Sequence, residues 1–208
     1  MILKQISLIT AASVVAMTFV VADQAKAATI GFDDLSNESS IYDGYHGFNW
    51  DNLVVLNAND FHNKYGDNGY TNGLVSGNNV AFNTNGMVGL VNGQSFTFNG
   101  AYLTAAWNDN LNITVEGLLD GITKYTKTVV VNTDSPNWFN FDFQDINGLQ
   151  FTSFGGTDAG FNGSGTHFAM DNFTYNEPTQ YVPEPITGLV LAAGMGGAAL
   201  GRAKSKKR

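Results

Sequence analysis

The 208-residue chain has no cysteine, only three histidines and no more than ten lysines and arginines. Each shortage excludes something. Without cysteine no disulfide can reinforce the fold and no thiol can serve as nucleophile or zinc ligand. The histidines, His46, His62 and His167, are far apart, and no His-Glu-x-x-His string occurs, so no zinc-hydrolase site is written locally. A Gly-x-Ser-x-Gly string is also absent, and Asn162-Gly163-Ser164-Gly165 lacks the strand-to-helix turn that a nucleophile elbow requires. Bases are scarcest in the middle of the chain. Two lie in residues 1–27 and five in residues 202–208, which leaves Lys64, Lys124 and Lys127 against 16 acids over residues 28–181, a formal charge of −13. Such a surface repels nucleic acid and anionic lipid headgroups and favours a cation such as Ca²⁺ as counterion.

Both ends carry targeting signals. Residues 1–27 combine Lys4, an apolar run from Ile6 to Val21 and the small residues Ala25 and Ala27 around Lys26, the pattern of a secretory signal peptide cut by signal peptidase. The mature chain is then expected to begin near Ala28. At the other end, Val182-Pro183-Glu184-Pro185 precedes an uncharged segment, 186–201, and the basic tail 202–208. The prolines cannot continue a helix, so 182–185 is expected to be extended and accessible. Glycines 188, 194, 196 and 197 suit close helix packing in lipid. At about 1.5 Å per residue the run from Ile186 to Leu200 spans roughly 22 Å, short of a hydrocarbon core of about 30 Å, so the expected transmembrane helix is a marginal anchor. Basic residues beyond it should stay cytoplasmic, with the rest of the chain on the far side. This tail resembles the PEP-CTERM sorting signal. The resemblance implies recognition and cutting by an exosortase, with release or transfer to the cell surface or extracellular matrix.

Between the ends, the sequence predicts an all-β domain over 28–176, with 177–181 as linker. Nine Asx-Gly pairs, among them Asn85-Gly86, Asn92-Gly93, Asn99-Gly100, Asp120-Gly121 and Asn147-Gly148, suit tight hairpin turns. The spacing of the first three predicts five-residue strands over 87–91 and 94–98. Period-two alternation marks Ile30 and Phe32, Phe96 and Phe98, Ile113 and Val115, Phe139, Phe141 and Phe143, Leu149 and Phe151, and Phe168, Met170 and Phe173 as inward-facing. No convincing 3.6-residue repeat appears, so little helix is expected. Eight to ten strands around one core predict a two-sheet antiparallel β-sandwich of jelly-roll type. Residues 57–79 and 155–166, polar, aromatic and rich in glycine, are expected to be long loops with a functional role.

Sugar rings stack their CH faces on aromatic side chains while Asp and Asn meet the hydroxyls. That chemistry selects Trp107, Asn108 and Asp109, with Tyr65 and Tyr70 from the first long loop, as glycan-binding candidates. Tyr45, Trp50 and Trp138 are the remaining aromatic candidates. Paired carboxylates that could hydrolyse a glycosidic bond are Glu116 with Asp120 and Asp142 with Asp145, although so many acids make such pairs expected by chance. Four stretches, Ile30-Gly31-Phe32-Asp33-Asp34-Leu35, Tyr45-His46-Gly47-Phe48-Asn49-Trp50, Leu103-Thr104-Ala105-Ala106-Trp107 and Phe168-Ala169-Met170-Asp171-Asn172-Phe173, resemble galactose-binding-like, carbohydrate-binding-module jelly rolls. The resemblance implies neighbouring first and last strands and a structural calcium held by Asp33 or Asp34 and Asp171. The function expected is that of an exported, non-catalytic glycan-binding protein whose partners are exosortase, signal peptidase and extracellular polysaccharide. Its alternatives are a matrix component without specific ligand and a glycoside hydrolase.

Overall fold

The computed structural model describes residues 27–178. Ala25 of the signal peptide, the motif Val182 to Pro185, the apolar segment and the basic tail lie outside the described residues. The described strands are β1 (Ala28–Ile30), β2 (Ser39–Ser40), β3 (Asn49–Asp51), β4 (Leu53–Asn57), β5 (Asn79–Asn83), β6 (Gly89–Ala105), β7 (Asn108–Leu119), β8 (Ile122–Val131), β9 (Asn137–Asp158) and β10 (Phe168–Tyr175). Two helices, α1 (Ala58–Tyr65) and α2 (Gly69–Asn72), lie between β4 and β5. Every strand pairing is antiparallel. The hydrogen-bonded order is β2-β4-β5-β10-β6-β9-β7-β8, with β1 added to β10 and β3 to β6.

In place of two separate sheets there is thus one continuous hydrogen-bonded path. The long strands make this possible. The register of β6 against β9 shifts between Asn92 and Gly100, so one part of each strand pairs Gly89–Asn92 with 148–151 and the other pairs 100–103 with 137–140. The sheet curls over itself, because buried residues from β1, β6, β7, β8, β9 and β10 belong to a single apolar cluster. Phe98 is central to it: its ring stacks on Phe141 at 5.1 Å and on Phe173 at 4.8 Å, and meets Phe151 edge-on at 6.1 Å. Burying each such ring contributes about 1.5–3 kcal/mol before chain entropy is counted.

The inward-facing residues expected from the alternation are buried, apart from Phe139, which is half-buried. The turn expectation fares differently. Asp120-Gly121 does close the β7–β8 hairpin, with both residues at positive φ (52° and 78°), as a type I′ turn needs. Asn92-Gly93 and Asn99-Gly100, by contrast, lie inside β6, so residues 89–91 and 94–98 of the two expected five-residue strands are parts of one 17-residue strand, and Met87 and Val88 precede it. The glycines there serve close approach. A Cβ on Gly93 would sit 2.7 Å from the Phe48 ring, and one on Gly100 would sit 2.4 Å from the Phe139 carbonyl oxygen.

Residues 57–79 are likewise not the long loop expected. Asn57 caps α1 by accepting from the Asp60 amide at 3.0 Å, and the Asn68 side chain caps α2 through the Tyr70 amide at 2.9 Å. Ala58, Phe61 and Tyr65 do lie at helical spacing, but the intervening Asn, Asp, His and Lys hide it. The helices lie over the outer side of β4, β5 and β10 through a second, smaller core of Leu56, Ala58, Tyr70, Val80, Ala106 and Ala169. Of the second expected loop, 155–166, the first four residues extend β9, and the irregular part begins after Asp158.

Candidate functional site

Trp107 lies in the connection between β6 and β7, where the chain leaves the sheet beside the smaller core. Its ring is half-buried and held on two sides. Tyr70 meets it edge-on at 5.2 Å and 84°, and Gly163 lies so close that a Cβ there would be 2.6 Å from the indole. Tyr70 itself is buried, and its hydroxyl shares a 2.5 Å hydrogen bond with His167 Nδ1. Burial pushes the Tyr70 phenol above its usual range and the His167 imidazole below its own. Both groups are therefore neutral around pH 7, and the His167 tautomer decides which of them donates.

Trp107 forms one wall of a cleft of about 200 Å³ that Phe61, Tyr65, Phe161, Asp67 and Asn162 also line. Phe61 and Tyr65 are one turn apart on α1, with ring centroids 4.6 Å apart. Asp67 Oδ1 pairs with His62 Nδ1 at 3.0 Å on the exposed surface. Asn68, at the back of the cleft, is fully committed to the fold: its oxygen accepts from the amides of Tyr70 and Thr71, and its Nδ2 donates to the Gly66 carbonyl. Polar groups open to a ligand include the second oxygen of Asp67 and the amide of Asn162. The arrangement joins apolar ring surfaces to a hydroxyl-accepting carboxylate and an amide, with no cationic side chain lining it.

The two long segments singled out in the sequence meet at this cleft, 57–79 through α1 and Asp67, and 155–166 through Phe161 and Asn162. Of the five glycan-binding candidates, Trp107 and Tyr65 line it and Tyr70 supports it from behind. Asn108 and Asp109 point away. Asn108 Nδ2 donates to the Gly155 carbonyl at 3.2 Å. Asp109 Oδ1 accepts from the Thr133 hydroxyl at 2.7 Å and amide at 2.9 Å, which holds its carboxyl below the usual carboxylate range. Phe61, Asp67, Phe161 and Asn162 were not selected from the sequence. The available signal was that each segment mixes aromatics with Asx residues, but which side chains face Trp107 depends on a helix hidden among polar residues. Of the remaining aromatics, Tyr45 and Trp50 are core residues, and Trp50 Nε1 donates to the Tyr45 carbonyl at 3.0 Å. Trp138 is 41% exposed and packs against Tyr102 at 5.3 Å.

The first and last strands do lie side by side, with Ile30 opposite Phe173. Their carboxylates, however, are already bonded. Asp171, fully buried, accepts at Oδ2 from the amides of Val75 (2.8 Å) and Ser76 (2.9 Å) and at Oδ1 from its neighbour Asn172 (2.6 Å). Asp33 Oδ1 accepts from the amides of Asn78 (2.6 Å) and Asn79 (3.0 Å), and Asp34 accepts from the Tyr45 hydroxyl at 2.5 Å. Among the described residues no group of three or more His, Cys, Asp or Glu is placed to hold a metal. A Ca²⁺ shared by these carboxylates would have to compete with five backbone N–H groups for Asp171 Oδ1 and Oδ2 and Asp33 Oδ1. Burial raises the Asp171 carboxyl above its usual range, its three amide bonds oppose that, and the nearby Asp33 adds to it.

The carboxylate pairs are on the periphery. Glu116 meets Thr123 and Gln150, Asp120 bonds Asn147 in the β7–β8 turn, and Asp142 is taken up by Asn99 and Asn140. Neither pair lines the cleft.

No family model matches the chain. No curated protein matches it either. Among solved structures it is similar to TmCBM61, determined in complex with β-1,4-galactotriose, at 10% identity over 62% of this chain and 86% of that one, with a TM-score of 0.30. So loose a likeness adds no weight to the geometry above.

Proposed function

We propose that the protein is an exported, non-catalytic glycan-binding protein of the cell surface or extracellular matrix, its β-rich body a sandwich of jelly-roll type folded from one sheet. The observation that carries this is the cleft at Trp107: four aromatic side chains converge there with a free carboxylate oxygen and a free amide. Stacked rings supply affinity for the apolar faces of a sugar, and the polar pair selects hydroxyl geometry. The signal peptide delivers the body across the membrane, and the PEP-CTERM tail hands it to an exosortase. Extracellular polysaccharide is the partner, and the membrane is met through the apolar segment before processing.

Calcium has no step in this function. A glycan array probed with the protein should give specific binders, and Trp107→Ala should abolish them with the β-type circular dichroism retained. Because Trp107 also packs on Tyr70, Asp67→Asn, at an exposed position, is the second variant; it should weaken binding without touching the core. An array with no binder would leave a matrix component without specific ligand.

A further inference from the structure

A second cleft adjoins the first. Its volume is about 160 Å³, and it is lined by Asn37, Glu38, Asn57, Asp60 and Lys64 together with the same Phe61 and Tyr65 that wall the Trp107 cleft. The aromatic pair on α1 is therefore a ridge between two hollows. Each hollow lies below the roughly 300 Å³ at which pockets begin to enclose drug-sized ligands, so each suits a single sugar ring. They differ in chemistry. The Trp107 side is aromatic; the other side is polar, with the carboxylates of Glu38 and Asp60, the Lys64 ammonium 4.9 Å above the Tyr65 ring, and the side-chain amides of Asn37 and Asn57. The oxygens of both Asn side chains are committed, Asn37 to the Asn57 amide at 2.7 Å and Asn57 to the Asp60 amide at 3.0 Å, which leaves their NH₂ groups to donate.

We infer that the two hollows form one binding groove for a neutral oligosaccharide of at least two residues, one ring stacked at Trp107 and the next lying across the Phe61–Tyr65 ridge among Glu38, Asp60 and Lys64. It rests on the glycan reading of the Trp107 cleft and extends it to a ligand class. Neutrality follows from charge. Asp67 on one side and Glu38 and Asp60 on the other set three carboxylates against the single cation Lys64, within a stretch carrying a formal −13. A chain of uronic acids would bring its own carboxylates against these and is repelled. Hydroxyl-rich neutral sugars donate to the carboxylates and accept from Lys64 and the asparagine amides.

Titration calorimetry on the full chain tests this with galactose, glucose and mannose, their 1,4-linked di- and trisaccharides, and trigalacturonate. In the series that binds, the disaccharide should bind on the order of tenfold more tightly than the monosaccharide. Glu38→Gln with Lys64→Met, both exposed positions, should remove that gain and leave the monosaccharide affinity unchanged. Trigalacturonate should bind more weakly than the neutral trisaccharide. Equal affinity for one ring and two, a gain that survives the double variant, or preferential binding of trigalacturonate overturns the two-ring neutral groove while leaving the Trp107 cleft standing. Failure of every sugar to bind overturns both.

Discussion

At the scale of single residues, the most consequential side chain outside the cleft is Asp171. It ties the last strand to the segment that follows α2, and Asp33 ties the first strand to the same segment, so five backbone amides hold two carboxylates near the paired ends of the domain. The N–H dipoles supply the positive partners that these carboxylates need. Two outcomes follow. The melting temperature of the protein should be the same in excess EDTA as in millimolar Ca²⁺. Asp171→Ala should destabilise by about 1–3 kcal/mol, since the Val75, Ser76 and Asn172 amides that lose their acceptor are part-buried and water can satisfy some of them. A melting temperature that rises with Ca²⁺ in the wild type and not in Asp171→Ala would show that the carboxylates do open to a metal.

Among the elements, β8 is the long edge of the sheet, paired only with β7, while residues 137–146 of β9 pair only with β6. An open edge of ten residues rich in Thr and Val invites pairing with another chain. Here the two edges are brought together through side chains. Lys124 Nζ donates to the carbonyls of Gln144 (3.0 Å) and Asp145 (3.3 Å), and Lys127 Nζ donates to that of Asn140 (2.6 Å). Exposed bonds of this kind contribute about 0.5–1.5 kcal/mol each, too little to decide folding but enough to keep carbonyls occupied. Replacing both lysines with alanine should lower the melting temperature by only a few degrees. In light scattering it should also increase self-association above the wild type. If both quantities stay at wild-type values, the lysines are ordinary surface residues.

The strands themselves were the legible part of the sequence. Alternation alone located Phe96, Phe98, Ile113, Val115, Leu149 and Phe151 on the inner face, because side-chain direction in a strand depends only on local parity. It survives in β10 even though Met170 and Phe173 are an odd number apart, since Asn172 at φ 53° lies where the register shifts and absorbs the extra residue. The Asx-Gly pairs misled because the sequence cannot separate a glycine needed for positive φ from one needed to admit a ring or carbonyl, as at Gly93 and Gly100. The cleft was half legible. Trp107 and Tyr65 carry recognisable chemistry, but Phe161 reaches the cleft only because the fold brings it back to Trp107 from 54 positions along the chain.

For the whole molecule, the geometry of the last described residues bears on the proposed sorting. The folded body is secured up to Glu177, whose amide donates to Asn99 Oδ1 at 2.9 Å and whose carbonyl accepts from Asn99 Nδ2 at 3.1 Å. Four residues lie between Glu177 and Val182, so five steps of 3.6 Å give a reach of at most about 18 Å. In the proposed sorting, an exosortase would meet the start of Val182-Pro183-Glu184-Pro185 within that reach of a body with a formal −13. Mass spectrometry of the mature protein from its native host should find a chain ending near Pro185. A variant with Pro183, Glu184 and Pro185 replaced by alanine should instead keep the tail and stay in the membrane fraction. Recovery of extracellular peptides containing residues 189–202 from the unaltered protein would show that the segment is carried outward intact and that the motif is not a processing site.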